Sequence, residues 1–207
     1  MNFTKKNTLT GWFVFFIAFT TYYLTVEPTA SYWDCSEYIA TSAKLQVGHP
    51  PGAPLFQMMG AFFSSFASGP ENVAFWVNMM SVMASAFTIL FMFWSLTILL
   101  SNIVSKHKEL DSNNQIAILG SAAIGSLSFA FTDSFWFNAV EAEVYAFSTF
   151  FTAIVVWLIL HWSEKADEEG HERYILIIAY MIGLILGLFY AILIVSHQTN
   201  SCYLFIK

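Results

Sequence analysis

Charge is what this chain has least of. Of 207 residues, only 11% are Asp, Glu, Lys or Arg, where a soluble domain carries roughly a quarter. That scarcity excludes a soluble globular domain and points to an integral membrane protein, in keeping with a mean hydropathy of +0.60. No run of Lys or Arg occurs, which excludes nucleic acid as a partner. Cysteine is nearly missing too: Cys35 and Cys202 stand far apart and match no metal or redox spacing. Proline is sparse, with five in the chain, yet three of the five fall at Pro50, Pro51 and Pro54.

What is abundant is apolar sequence. A span needs about 20 mostly apolar residues, and five stretches qualify: about 9–26, 74–104, 116–132, 144–162 and 174–195. The third is rich in small residues (Gly120, Ser121, Ala122, Ala123, Gly125, Ser126), which predicts close helix contact. Between the first two spans, "APLFQMMGAFFSSFA" is apolar but short, and predicts a helix lying in the interface or re-entering. The fold expected is thus an all-α, multi-span helical bundle.

The few cations orient it. Lys5 and Lys6 precede span one, Lys106 and Lys108 follow span two, and Lys165 and Arg173 follow span four. The positive-inside rule puts the N-terminus in the cytoplasm and the loops 27–73 and 133–143 outside. Those outer loops hold Glu27, Asp34, Glu37, Glu71, Asp133, Glu141 and Glu143 against the single Lys44. "PTAS" after span one places Pro28 at the minus-three position of a would-be cleavage site, so span one is expected to remain as an anchor. Residues 196–207 break the apolar pattern and read as an irregular tail, as if the chain were truncated or frame-shifted.

The polar residues of the outer loops gather in two places. In "SYWDCSEYIATSAKLQVGHPPGAPLF", a helix from Trp33 to Gln46 would put Asp34 and Glu37 on one face with Tyr38 and Thr41 near them, and Lys44 further along. Gly48 is expected to end that helix. Pro50 and Pro51 then hold an extended segment carrying His49, and Gly52 permits a turn before Pro54 opens the next helix. In "TDSFWFNAVEAEVYAFSTFF", Trp136, Asn138, Glu141, Glu143 and Tyr145 recur beside an apolar span, and Glu141 and Tyr145 are spaced to share a helix face. Each residue has an ordinary alternative: Asp34 as an N-cap, Lys44 reaching toward headgroups, the aromatics as an interfacial belt. Together, two carboxylates, a Lys, a His and a proline-stiffened turn exceed what packing needs, and ionisable groups at the membrane boundary point to function.

These two motifs resemble the bacterial membrane family called domain of unknown function 2723, which is related to the protein O-mannosyltransferases and placed among the GT-C glycosyltransferases. The resemblance runs from the N-terminus to about Gly183. It implies a multi-helix enzyme of a bacterial inner membrane, active on the outer face. The donor would be a sugar on a polyprenyl phosphate, and the acceptor a Ser or Thr hydroxyl of an exported protein. Asp34 matches the essential acidic residue of the first outer loop in GT-C enzymes. In the O-mannosyltransferases a Glu follows directly, whereas here Cys35 intervenes and Glu37 comes later. His49, Pro50, Pro51 and Gly52 match the start of the family's "HPPLGK"-like segment, without its Lys.

The chemistry fits that implication. A carboxylate within hydrogen-bond reach takes the proton of the attacking hydroxyl, a role assigned to Asp34 with Glu37 beside it. The phosphate leaving group calls for a cation or donors, for which Lys44, His49 and Tyr38 are the candidates. Pro50, Pro51, Gly52, Trp136, Glu141, Glu143 and Tyr145 complete the substrate- and donor-binding set. Asp34, Glu37 and Glu141 have oxygens to offer a metal, but no diagnostic ligand spacing occurs, so no cofactor is expected. The rival readings are a transporter or channel subunit, with the outer carboxylates lining an ion path, and a non-catalytic membrane fragment. The first is opposed by the lack of a charge in the middle of any span.

Overall fold

A computed structural model describes residues 2–49, 52–105, 111–166, 168 and 170–184. Among these all regular structure is helical, without a strand, as expected for an all-α membrane protein. Seven helices run in order: α1 (Phe3–Leu24), α2 (Cys35–Lys44), α3 (Pro54–Ser64), α4 (Val73–Ser105), α5 (Ser112–Ala130), α6 (Asp133–Ala139) and α7 (Val144–Ser163). A 3-10 turn, Pro70–Asn72, leads into α4, and residues 172–184 are helical. The second half of the fifth expected span, the tail 196–207, Pro50 and Pro51 lie outside the described residues.

Helix α4, joined to its 3-10 turn, and α7 are each long and apolar enough to cross a membrane. Helices α5 and α6 reach that only as a pair, bent by 70° at the break between them. Lys5, Lys6 and Asn7 lower the apolarity of the first turns of α1, so its 22 residues make a full-length helix that falls short of the same test. The expected interfacial helix is α3. Pro54 sits in its first turn, where a missing N–H costs nothing.

The long helix α4 is the axis, with α1, α5, α7 and α3 packed around it. One core, between α1, α4, α5 and α6, contains Val14, Tyr22, Val82, Phe93 and Phe135. The other, between α2, α3, α4 and α7, contains Cys35, Phe56, Val77, Met80 and Phe147. Helix α5 uses only part of its small-residue content. Ile118, Ala122, Ser126 and Ala130, spaced four apart, form its buried stripe, whereas Gly120 and Ser121 face outward. Gly60 of α3 shows what a small residue does here: a Cβ on it would lie 2.5 Å from Ser42 Oγ, so glycine lets α3 press directly onto α2.

Two segments between helices are tied down by polar contacts. Asn78 of α4, fully buried, donates from Nδ2 to the carbonyls of Glu27 at 2.7 Å and Thr29 at 2.9 Å. Its Oδ1 faces the buried Cys35 thiol at 3.8 Å. The Glu27 N–H donates to the Val140 carbonyl at 3.0 Å, which links the segment after α1 to the one after α6. The Tyr22 hydroxyl donates to the Ala130 carbonyl at 2.8 Å, and Trp136 Nε1 to Thr25 Oγ1 at 3.0 Å. The segment carrying Asp34 is therefore fixed to the bundle at both sides.

Candidate active site at the start of helix α2

The helix carrying the acidic pair is shorter than its sequence suggests. It begins after Asp34 and ends at Lys44 rather than running from Trp33 to Gln46. Leu45, in the left-handed region at φ 48°, ends it, and the Gln46 N–H turns back to the Thr41 carbonyl at 2.8 Å. Gly48 thus does not terminate the helix. Its work is steric: a Cβ there would stand 3.2 Å from Glu37 Oε1 and 2.9 Å from Gln57 Nε2. At the other end, Trp33 holds φ at 61°, a sparsely populated conformation for a bulky residue. That conformation sets the direction in which the chain enters α2 at Asp34.

Asp34 occupies the N-cap position, but its side chain makes no capping hydrogen bond. Its backbone carbonyl accepts the Tyr38 N–H at 2.9 Å, so the helix uses the backbone and leaves the carboxylate for other work. Glu37, one turn on, is fully engaged. Oε1 accepts the His49 backbone N–H at 2.6 Å and Oε2 pairs with His49 Nδ1 at 2.9 Å. His49 Nε2 then faces Asp34 Oδ2 at 3.9 Å. The turn that returns His49 closes through Gly52, whose N–H donates to the His49 carbonyl at 2.8 Å with φ at 74°. These contacts pull Glu37 and His49 in opposite directions: the two hydrogen bonds from His49 lower the Glu37 pKa, and the Glu37 carboxylate raises that of His49.

Three further expected residues join this cluster. Tyr38 packs on Phe56 with ring centroids 5.1 Å apart and lies 6.4 Å from the His49 ring. Burial, then the carboxylates of Glu143, Asp34 and Glu37, push its hydroxyl up to about 12. Glu143, N-cap residue of α7, is only 7% exposed. Burial, then Glu141 and Asp34, raise its carboxyl to about 7, while the Val144 N–H and His49 act the other way. Tyr145, exposed at the rim, also bears on Tyr38 and borders a shallow recess with Phe129, Phe135 and Thr149.

Other expected residues lie elsewhere. Glu141 precedes α7 in a bend, so it does not share a helix face with Tyr145. The chain from 140 to 143 is non-helical, so Glu141 and Glu143 are not held to one helix face and meet different partners. Glu143 thus joins the Asp34 cluster, whereas Glu141, 3% exposed, accepts a hydrogen bond from Ser31 Oγ. Burial raises the Glu141 pKa, with Ser31 acting against it and Glu27 adding to it. Glu141 lines a cleft of about 520 Å³ with Thr25, Glu27, Ser31, Tyr32 and Phe137. Trp136 packs on Tyr22 and Phe131 beside that cleft. Lys44 stands exposed in the last turn of α2, two turns beyond Glu37, and among the described residues it pairs with no carboxylate.

Asp34, Glu37 and His49 each offer a ligand atom to a common point, and these atoms lie within 4.8 Å of one another. The trio that the structure brings together therefore contains His49 in place of Glu141. Sequence reasoning missed Asn78, Ser31 and Gln57. Asn78 was detectable as an amide well inside an apolar span, a residue type that is costly there without partners. Ser31 and Gln57, which donates to Thr41 Oγ1 at 3.3 Å, carried no signal of their own.

Comparison with known proteins bears on this arrangement. Over 172 residues the chain is 28% identical to "Protein O-mannosyl-transferase tmem260" of Dictyostelium discoideum, an alignment covering 82% of this chain. The chain spans only 19% of the length of that curated relative. No solved structure matches it. The family model "Protein O-mannosyl-transferase TMEM260 N-terminal domain" matches residues 34–207, starting at the aspartate that opens α2. By that match the chain belongs to the protein O-mannosyl-transferase TMEM260 N-terminal domain family.

Proposed function

We propose that this chain carries the catalytic loop of a membrane glycosyltransferase that moves a sugar from a polyprenyl-phosphate donor to Ser or Thr hydroxyls of exported proteins. The observation that carries the reading is the division of labour between the two carboxylates of α2. Glu37 is held at both oxygens by His49, whereas the Asp34 carboxylate has no hydrogen bond among the described residues and stays half exposed. A carboxylate that must accept a proton from an incoming hydroxyl has to be reachable and free to form that bond. Asp34 is then the general base. Glu37 and His49 position it, and Glu143 sits beneath as a second, buried carboxylate.

The donor phosphate meets His49, Tyr38 and Gly52, with Lys44 a flexible cation further along the helix. The apolar surfaces of α3 and α4 supply the greasy wall for a prenyl chain, Met58 and Phe62 of α3 being exposed. Glu141, Trp136 and the neighbouring cleft are assigned to the acceptor side. The placement of Lys5, Lys6, Lys165 and Arg173 supports a cytoplasmic N-terminus and an outward-facing α2. The likeness of both motifs to family 2723 supports a bacterial inner membrane.

The test is made in cells that glycosylate exported proteins through this protein. Asp34→Asn keeps the size of the side chain and removes its basicity. Glycans on exported proteins should disappear with the protein present at its normal level. An undiminished glycan pattern with Asp34→Asn as the sole source of the activity would rule out the enzyme reading.

A further inference from the structure

We infer that His49 Nε2 and Asp34 Oδ2, backed by Glu37 and Glu143, form a binding site for one divalent cation of the Mn²⁺ type, placed to receive the donor's phosphate. The inference of the ion stands on the cluster itself, and its link to a phosphate rests on the proposed glycosyl transfer.

The geometry of the imidazole comes first. An ionised carboxylate only accepts hydrogen bonds, so the Glu37 Oε2 contact at 2.9 Å requires that His49 Nδ1 carry the proton. In the neutral ring the Nε2 lone pair then points away from Glu37, on the side of Asp34. A histidine whose second nitrogen donates to a carboxylate is the usual arrangement around a protein-bound metal, because the bond fixes the tautomer and makes the free nitrogen a better ligand. Glu37 is itself fixed by the His49 backbone N–H, so tautomer and ring direction are both set.

The spacing comes next. At 3.9 Å, His49 Nε2 and Asp34 Oδ2 stand too far apart for a hydrogen bond. Two ligands that share an ion at about 2.1 Å from each lie about 3 to 4 Å apart. Asp34 would engage through Oδ2, which leaves Oδ1 for the acceptor hydroxyl.

A separate observation comes from the other side of the cluster. Glu143 is buried to nine-tenths, and among the described residues no other side chain hydrogen-bonds to it and no cation is in contact. Its carboxylate accepts only the Val144 N–H, yet it lies near enough to Asp34 and His49 to interact with the charge of both. A buried carboxylate without a cation is costly, and a bound ion removes that cost. The charge of the whole site argues the same way. Asp34, Glu37 and Glu143 face one imidazole, and such a pocket repels a phosphate unless a cation stands between. One imidazole with carboxylates and open positions for water suits Mn²⁺ better than the thiolate-loving ions.

The experiment uses the purified, chelator-stripped protein in detergent and Mn²⁺ alone. Loss of the free-ion electron paramagnetic resonance signal counts bound Mn²⁺. One saturable site is expected. Asp34→Asn and His49→Asn should each weaken it at least tenfold, and Glu37→Gln, which keeps the shape but frees the tautomer, by 10- to 100-fold. Unchanged thermal unfolding of each variant without metal confirms that the fold is intact. No saturable Mn²⁺ site in the wild type, or a site indifferent to all three substitutions, overturns the inference. Mn²⁺ bound as described in a protein that transfers no sugar supports the site while removing the transfer reading.

Discussion

Replacing Glu143 by Gln should stabilise the protein, and by an amount that depends on pH in a predictable direction. The carboxyl is 7% exposed, and burial with Glu141 and Asp34 nearby raises its pKa from 4.5 to about 7. In the unfolded chain the same group has its ordinary value. Between those two values the folded protein still holds a proton that the unfolded chain has lost. The wild type therefore loses stability as pH rises through that window, and the loss is complete above the folded value. A shift of this size corresponds to about 3 kcal/mol. Glutamine has no proton to lose, so the stability of Glu143→Gln minus that of wild type should be constant in acid. It should climb from about pH 4.5 and level off above the folded value of about 7. Unfolding in detergent and EDTA, followed across this range, reads the difference directly, and groups that titrate alike in both proteins largely cancel. A difference that stays flat with pH, or that falls as pH rises, would refute the assignment of Glu143 as a buried, proton-holding carboxylate.

Other predictions follow from the packing and the orientation. Asn78→Leu removes the donor to the Glu27 and Thr29 carbonyls, and should cost roughly 2–4 kcal/mol in detergent unfolding; a loss below about 0.5 kcal/mol would show that the clamp contributes nothing. Gly60→Ala places a methyl 2.5 Å from Ser42 Oγ and should separate α3 from α2, at a cost of about 1–3 kcal/mol with a fall in activity; a neutral result on both would mean that the contact is not needed. Val47, 92% exposed in the turn before His49, should as Val47→Cys react with an impermeant maleimide added outside intact cells, while the buried Cys35 stays silent. Labelling only after the membrane is opened would invert the orientation.

Local rules carried the sequence reading a long way. The helices α3, α4, α5 and α7 lie within a few residues of their apolar runs, because length and composition decide them. His49, Asp34 and Glu37 were each singled out in the sequence, but the pairing of His49 with both carboxylates was not expected from it. Contacts between distant segments were not legible. Nothing local separates Glu141 from Glu143, yet one accepts from Ser31 and the other bears on Asp34, because their partners come from distant segments of the chain. The end of α2 was misplaced because Leu45, not Gly48, takes the left-handed position, a choice made by the surrounding packing rather than by residue preference.

The central claim is that the carboxylate at the start of α2 takes the proton of the attacking hydroxyl. Its most direct test is turnover by purified protein, with a polyprenyl-phosphate sugar and a serine-containing acceptor peptide. Asp34→Asn should lower kcat by about 10²–10⁴-fold at saturating donor and Mn²⁺. A kcat for Asp34→Asn within about threefold of the wild type, far below what a general base contributes, would contradict it.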